Sequence, residues 1–336
     1  MRLLVQSILT RLRRAVSWLG FHPRYLIGGG AGLTAVVALG VFFYIASPPP
    51  HFPEDEIISV EEGTGLRAIA ADLHRQGVVR SPFVFRSIVT MIGGTRGIIA
   101  GDYFFEQPLS AYSIATRVTQ GQYNMKTRVV TIPEGYTVYQ MAKRFDEELL
   151  DFDIIAFLRA AGPKEGRLFP DTYELQPTIR ADKLVDLMHA TFNTRIKEIG
   201  EEIKEFGKPL DEVIIMASIL EREAHISEDR RKIADVLWRR IEIGMPLQVD
   251  VTFARVNGKN SYQLTSADLE TDDPFNTYTR IGLPPGPIGN PGLDALLAAV
   301  TPIESDNLFF LADRTGTTYF SETFEEHIRK KNLYVY

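Results

Sequence analysis

The chain has 336 residues, no cysteine and a formal net charge of −6. That length allows two or three separately cored domains, and the missing cysteines exclude disulfides, thiolate nucleophiles and cysteine-based metal sites. Arg2, Arg11, Arg13, Arg14 and Arg24 stand in the first 24 residues without an acid, so the remainder is more acidic than the total and has no basic excess for nucleic acid.

From Tyr25 to Ala46 the chain runs 22 residues without a charge, about the length that crosses a hydrocarbon core. This predicts a transmembrane helix over residues 25–46. Basic residues 1–24 before it, and Glu54, Asp55, Glu56, Glu61 and Glu62 after it, predict a cytoplasmic tail and a body on the outer side of the cytoplasmic membrane. A cleaved signal peptide is the alternative, with Ser47-Pro48-Pro49-Pro50 a poor cleavage site. Residues 47–54 are a stiff proline-rich linker.

An internal echo follows at an offset of 72 residues: Glu62-Gly63, Ile69, Ala70 and Leu73 match Glu134-Gly135, Met141, Ala142 and Phe145. Each copy reads as a strand (57–60, 129–132), a glycine turn and an amphipathic helix. Gly63, Gly65 and Ala68 also fit the dinucleotide pattern G-x-G-x-x-A, but the second copy lacks the second glycine that a pyrophosphate contact needs. Residues 55–122 therefore form a small strand–helix module, with a strand at 101–105 and a helix at 113–120 closed by Gly121.

Beyond it the pattern predicts helices at 149–161, 181–200, 211–224 and 228–243, the last capped by Ser227, with 166–173 as a loop. Residues 282–292, dense in glycine and proline, suit the wall of a groove. Asn290 is a candidate cap and Pro291 the start of a helix at 293–300. A hairpin (308–312, 317–320) and a helix to about 331 close the chain. Helices outnumber locally paired strands, which is an α+β class.

Within 211–224, Ile214, Ala217, Leu220 and Glu221 share one helical stripe, whereas Glu223 lies about 200° further round. A carboxyl among apolar neighbours gains a proton near neutral pH, as a general acid requires. The plainer alternative is a helix-end glutamate that turns to water or meets Arg222 or Arg239. No two of the six histidines share metal-ligand spacing, and serine-nucleophile and H-E-x-x-H motifs are absent, so neither metal nor cofactor is expected. Carboxylates remain: Asp250, Asp268, Glu270, Asp272 and Asp273 follow the helix, and Glu221 with Asp250 makes a candidate glycosidase pair. Gln248, Asn276 and Tyr278 supply amide, hydroxyl and ring groups suited to a sugar polymer.

The span 211–292 resembles the catalytic region of the YceG-like family, the MltG endolytic murein transglycosylases. The resemblance lies in Ala217-Ser218-Ile219-Leu220-Glu221, Ile243 through Asp250, Ser266 through Thr271, Phe275-Asn276-Thr277-Tyr278, Gly282 through Gly286 and Gly166 through Tyr173. It implies a LysM-like module at 55–122 and an α+β catalytic domain at 123–336. It also implies lytic cleavage of nascent peptidoglycan strands between MurNAc and GlcNAc, leaving 1,6-anhydroMurNAc ends, with penicillin-binding proteins and other wall-synthesis machinery as partners. The family's catalytic glutamate is expected at Glu221, with Gln248, Asp250, Glu270, Asn276 and Tyr278 as substrate-binding candidates. The rivals are a non-catalytic scaffold that grips glycan and a two-carboxylate muramidase.

Overall fold

A computed structural model describes residues 23–93, 97–259 and 263–335, with side chains placed from residue 32. The chain divides into two compact units, Met1–Met125 and Lys126–Tyr336.

In the first unit, helix α1 (Pro23–Ala46) exposes Leu33, Val36, Val37, Phe42 and Phe43. Among the described residues no helix is long and apolar enough to cross a membrane, so the span expected over residues 25–46 rests on the sequence alone. Arg80 holds the end of α1, donating to the Pro48 carbonyl from Nε (3.0 Å) and Nη2 (2.7 Å) while its guanidinium lies 4.4 Å over the Tyr44 ring. Strand β1 (Glu56–Val60), helices α2 (Leu66–Arg75) and α3 (Pro82–Gly93), strand β2 (Gly101–Phe105) and helix α4 (Ala111–Gln120) complete the unit. β1 and β2 pair antiparallel from Glu56↔Phe105 to Val60↔Gly101. Ile58, Val60, Leu73, Phe85, Val89, Tyr103, Phe105 and Ile114 form the core. The Ser110 hydroxyl accepts the Ser113 amide at the start of α4, and Gly121 ends it in the left-handed region. Sequence periodicity missed α3, whose first residue is Pro82.

The second unit opens by repeating the order strand, helix, helix, strand: β3 (Arg128–Thr131), α5 (Val138–Glu148), α6 (Ile154–Ala161) and β4 (Thr172–Leu175). β3 and β4 pair antiparallel, Arg128↔Leu175 to Thr131↔Thr172, as β1 and β2 do. The echo in sequence is thus a repeated ββ-paired module. Thr137 and Gln140 form a reciprocal capping box that fixes where α5 begins. The helix expected from 149 starts later, because Asp151 has φ +46° and the Asp153 carboxylate caps the Ala156 amide at 2.8 Å. The loop expected over 166–173 gives way to β4 at Thr172.

Helices α7 (Ala181–Glu198), α8 (Gly200–Phe206), α9 (Leu210–Glu223) and α10 (Ser227–Glu242) follow, then the short α11 (Phe253–Val256) and α12 (Ser266–Leu269). Helix α13 (Leu293–Val300), a hairpin of β5 (Phe309–Ala312) and β6 (Thr318–Ser321), and α14 (Phe324–Tyr334) end the chain. Three two-stranded antiparallel sheets among the helices make the class α+β. α9, α10 and α13 share one core in which Ala295, Ala298 and Ala299 leave room for Val213, Leu220, Ile233 and Leu237. The Trp238 indole donates to the Ala299 carbonyl at 2.9 Å, tying α10 to α13. Two expected caps are corrected. Ser227 is the first helical residue of α10 behind Ile226, and Gly292, rather than Asn290, stands before α13.

Asn290 is instead buried and joins the repeated module to the glycine–proline loop. Its amide donates to the Tyr136 carbonyl (2.9 Å) and to Glu165 Oε1 (2.8 Å), and its carbonyl oxygen Oδ1 accepts the Leu168 amide (3.0 Å). The Gly135 amide donates to the Asn290 carbonyl, and the Asn290 amide to that of Tyr136. Next to this ladder a Cβ on Gly289 would lie 2.5 Å from the Gly135 carbonyl oxygen. That oxygen is backbone within a hydrogen-bonded turn, so it yields less easily than the end of a flexible side chain. Gly289→Ala is therefore expected to cost about 1–3 kcal/mol, read as a fall in melting temperature of roughly 2–4 °C per kcal/mol. Gly286→Ala, in the same loop with open space around it, is the control; equal falls for both would refute the steric account.

Candidate active site

The last turn of α9 presents two glutamates to different surroundings. Glu221 is 7% exposed and both of its oxygens are engaged. Arg230 Nη2 donates to Oε1 at 2.5 Å, and the Gly292 amide to Oε2 at 2.8 Å. Arg230 is itself shared, donating to Asp294 at 2.6 Å and to the Ala224 carbonyl at 2.9 Å. Burial pushes the Glu221 carboxyl up, opposed by the Gly292 amide and then by Arg230; the nearby charges of Glu134 and Asp294 add to the rise. The cation that Glu221 meets is Arg230, neither Arg222 nor Arg239. Each Glu221 oxygen accepts one hydrogen bond and keeps a second lone pair, so the carboxyl is held in place and can still exchange a proton with a substrate.

Glu223 has the opposite character. It faces away from Glu221, as the helical repeat requires, toward the segment that begins the turn Asp250–Thr252. Burial, and after it the charge of Asp250, push its carboxyl up to about 8, against the opposing effects of Arg240 and the Val251 amide. At neutral pH this group holds its proton. Tyr278 Oη donates to Asp250 Oδ1 at 2.5 Å, and burial with that bond raises the phenol. Arg240 is 5% exposed and lies beneath the cluster, donating to the carbonyls of Leu247 (2.5 Å) and Leu308 (2.8 Å). A neutral carboxyl beside a second carboxylate is the pairing by which one site divides acid and stabilising roles.

The other candidates fall into two groups. Gln248 is exposed and adopts φ +50°, a conformation that costs a non-glycine residue of order 1 kcal/mol and concentrates at functional positions. Its amide donates to the Thr277 carbonyl, and the buried Thr277 hydroxyl accepts the Val249 amide. These bonds tie the Gln248 segment to the Thr277 segment, whereas Asp250 and Tyr278 meet directly. Asn276 is fully buried, its amide donating to the Leu269 and Thr271 carbonyls and its Oδ1 accepting the Tyr278 amide. It shapes the loop and has no free group for substrate. Glu270, at the end of α12, is exposed, and among the described residues it makes no hydrogen bond to the cluster.

Sequence reasoning placed Glu223 only as facing away from the apolar stripe, and missed Arg230 and Arg240. Burial first, and then the charge of Asp250 from a turn 27 residues away, raises the Glu223 carboxyl. Among the described residues no group of three or more histidines or acids is arranged to hold a metal. A cavity of about 920 Å3 lined by Lys208, Trp238, Arg239 and Glu304 contains neither glutamate.

A sequence profile of the YceG-like family matches residues 58–333. The chain belongs to the YceG-like family. Among members of known description, it is 30% identical over 305 residues to the endolytic murein transglycosylase of Bacillus subtilis, covering 83% of this chain and 84% of that one. It is 28% identical over 314 residues to the protein of the same name from Streptococcus pneumoniae, covering 81% of this chain and 57% of the longer pneumococcal one. A crystal structure of a YceG-like protein from Listeria monocytogenes superposes with a TM-score of 0.57 at 29% identity, covering 83% of this chain and all of that one.

Proposed function

We propose that this YceG-like chain is an endolytic murein transglycosylase with Glu221 as its acid and base. The observation that carries the assignment is the buried Glu221 carboxyl at the end of α9, held by Arg230 and the Gly292 amide, in a chain that matches the YceG-like family over residues 58–333. Protonated Glu221 donates to the glycosidic oxygen as the bond to C1 of the muramyl sugar breaks. The carboxylate left behind takes the proton of the muramyl C6 hydroxyl as that oxygen closes on C1. One proton is given and one recovered, and no water enters. Asp250, held by Tyr278, offsets the positive charge that develops on the sugar ring. Gln248 and the Tyr278 ring face the glycan, and Arg230 with the Gly292 amide orients the Glu221 carboxyl.

The same proposal places α1 in the cytoplasmic membrane with the catalytic unit on its outer side, supported by the uncharged run and the arginines before it. An anchor raises the effective concentration of the site near newly made strands. Penicillin-binding proteins are the partners that family resemblance suggests, and the first unit is a LysM-like glycan-binding module. Mass spectrometry of strands digested by the full chain tests the reaction. Internal fragments with anhydro ends, one water lighter than hydrolysis products, are expected. Reducing ends would mean a muramidase using Glu221 and Asp250, and intact strands a scaffold.

The raised Glu223 carboxyl also ties stability to pH. Between its ordinary value of 4.5 and about 8, folded Glu223 keeps a proton that the unfolded chain releases, so unfolding is increasingly favoured as pH rises through that window. Glu223→Gln has no such proton. The variant is expected to be relatively more stable at pH 8 than at pH 5, by a few kcal/mol at most. Melting curves of both proteins across that range check this, and parallel profiles would remove the proposed shift.

A further inference from the structure

The glycine whose amide donates to Glu221 Oε2 also lies under a second carboxyl. A Cβ on Gly292 would collide with Glu134, whose Oε1 and Cδ are the nearest atoms. The Gly292 backbone is extended, at φ −76° and ψ 175°, which any residue adopts, so it is the Glu134 carboxyl that excludes a side chain there. Glu134 and Gly135 belong to the turn between β3 and α5, and that turn also touches Glu221 itself: a Cβ on Gly135 would lie 3.4 Å from Glu221 Cγ. Glu134 is exposed, and among the described residues its carboxylate makes no hydrogen bond or ion pair. The other charges that face Glu221 are paired. Arg230, from α10, bonds it directly at 2.5 Å, and Asp294, from α13, is held by Arg230 at 2.6 Å. On α9 itself, Arg222 and Glu223 follow it in sequence. Two carboxyls thus meet at one glycine, the buried one gripped by a cation and the exposed one free. Burial comes first in raising the Glu221 carboxyl, and among charged groups Glu134 stands ahead of Asp294 in adding to the rise.

We propose that Glu134 is a positioning residue for the reaction: its ionised carboxylate, seated over Gly292, keeps the transferable proton on Glu221. This rests on the transglycosylase reading above, with Glu221 as the acid. Arg230 orients the Glu221 carboxyl but, as a cation at 2.5 Å, also favours its ionised form, which has no proton to give to the glycosidic oxygen. A negative charge close by opposes this. Two carboxyls that share a site do not both ionise readily, and the one surrounded by water ionises first. The exposed Glu134 therefore takes the charge and the buried Glu221 the proton. When the glycosidic bond breaks, the proton passes from Glu221 to the leaving oxygen and both carboxylates are briefly charged. That repulsion favours recovery of a proton from the muramyl C6 hydroxyl by Glu221.

The test is the pH dependence of kcat/KM for cleavage of uncross-linked strands by the full chain in detergent, as wild type, Glu134→Gln, Gly292→Ala and the double variant. Loss of the Glu221 proton sets the descending limb of that profile. Glu134→Gln is expected to move the limb down by roughly half to one pH unit, the effect of an exposed charge acting across a few ångströms. Gly292→Ala keeps the amide and the charge but pushes the flexible Glu134 side chain off the glycine, so the limb should move the same way. The double variant should then move no further than Glu134→Gln alone, and additive shifts would overturn the placement of the acting charge over Gly292. A limb that stays in place in Glu134→Gln, whether or not the rate falls equally at every pH, would overturn the proposal, because substrate contact or a structural role leaves the titration of Glu221 unchanged. If wild type cleaves no strands, the transglycosylase reading fails on its own and the titration is read directly. The carboxyl carbon-13 resonance of Glu221, assigned by its absence in Glu221→Gln, should then titrate at lower pH in Glu134→Gln than in wild type, and coincident curves refute the coupling.

Discussion

Glu221→Gln is expected to lower strand cleavage by roughly 10²–10⁴-fold, the contribution of a positioned general acid, while the chain stays folded. Gln keeps an acceptor for the Gly292 amide, and Arg230 retains Asp294 and the Ala224 carbonyl, so the structural loss is one charged hydrogen bond, about 1.5–3 kcal/mol of stability. In the wild type, cleavage should decline as pH rises and Glu221, whose pKa burial raises, loses its proton. Glu223→Gln is expected to keep cleavage close to wild type when rates are referred to the folded fraction. Product mass spectrometry and circular dichroism, measured on both variants, separate the roles. A folded Glu223→Gln chain without activity beside an active Glu221→Gln chain would move the acid to Glu223.

Arg230→Met carries the largest expected loss of stability, about 3–5 kcal/mol, the usual cost of removing one partner from a buried ion pair. It leaves the buried Glu221 carboxyl facing the charges of Glu134 and Asp294 with the Gly292 amide as its remaining donor. Converting Glu221 to Leu in the same chain removes that stranded group, so the double variant should regain much of the loss. Denaturant titration of both singles and the double measures the coupling. Strictly additive effects would show that the pair contributes nothing as a pair.

The stripe of Ile214, Ala217, Leu220 and Glu221 is real, and Glu221 is buried as its spacing requires. Yet α9 also buries Met216, Ser218 and Ile219, so it is enclosed on nearly all sides and periodicity could not say which side holds the chemistry. Depth was legible; which neighbours lie at that depth was not. Arg230 arrives from the next helix, Gly292 from a loop 71 residues on, and Asp250 from a turn whose aim depends on Thr277. The same holds for Asn290. Its place before a helix looked like a cap, because nothing local reveals that Tyr136 and Glu165 compete for its amide. Features carried by a few adjacent residues read more directly: the turn of Gly135 into α5 and the helix stop at Gly121 are both where composition puts them. Helix α3 escaped because its exposed Phe83 and Met91 blur the apolar face that Phe85, Ile88 and Val89 define.

The bond from Trp238 to Ala299 gives the second unit its own optical reporter. The chain has two tryptophans, Trp18 and Trp238. Trp238 is 4% exposed, with the Phe206 ring 5.6 Å away and the Lys208 ammonium 4.7 Å over its face. Removing Trp18 by truncation or substitution leaves a single emitter whose quantum yield and wavelength follow the seam between α10 and α13 and ignore events in the first unit. Melting of the unit that bears Glu221 can then be watched in the full chain, against a background free of other indole light.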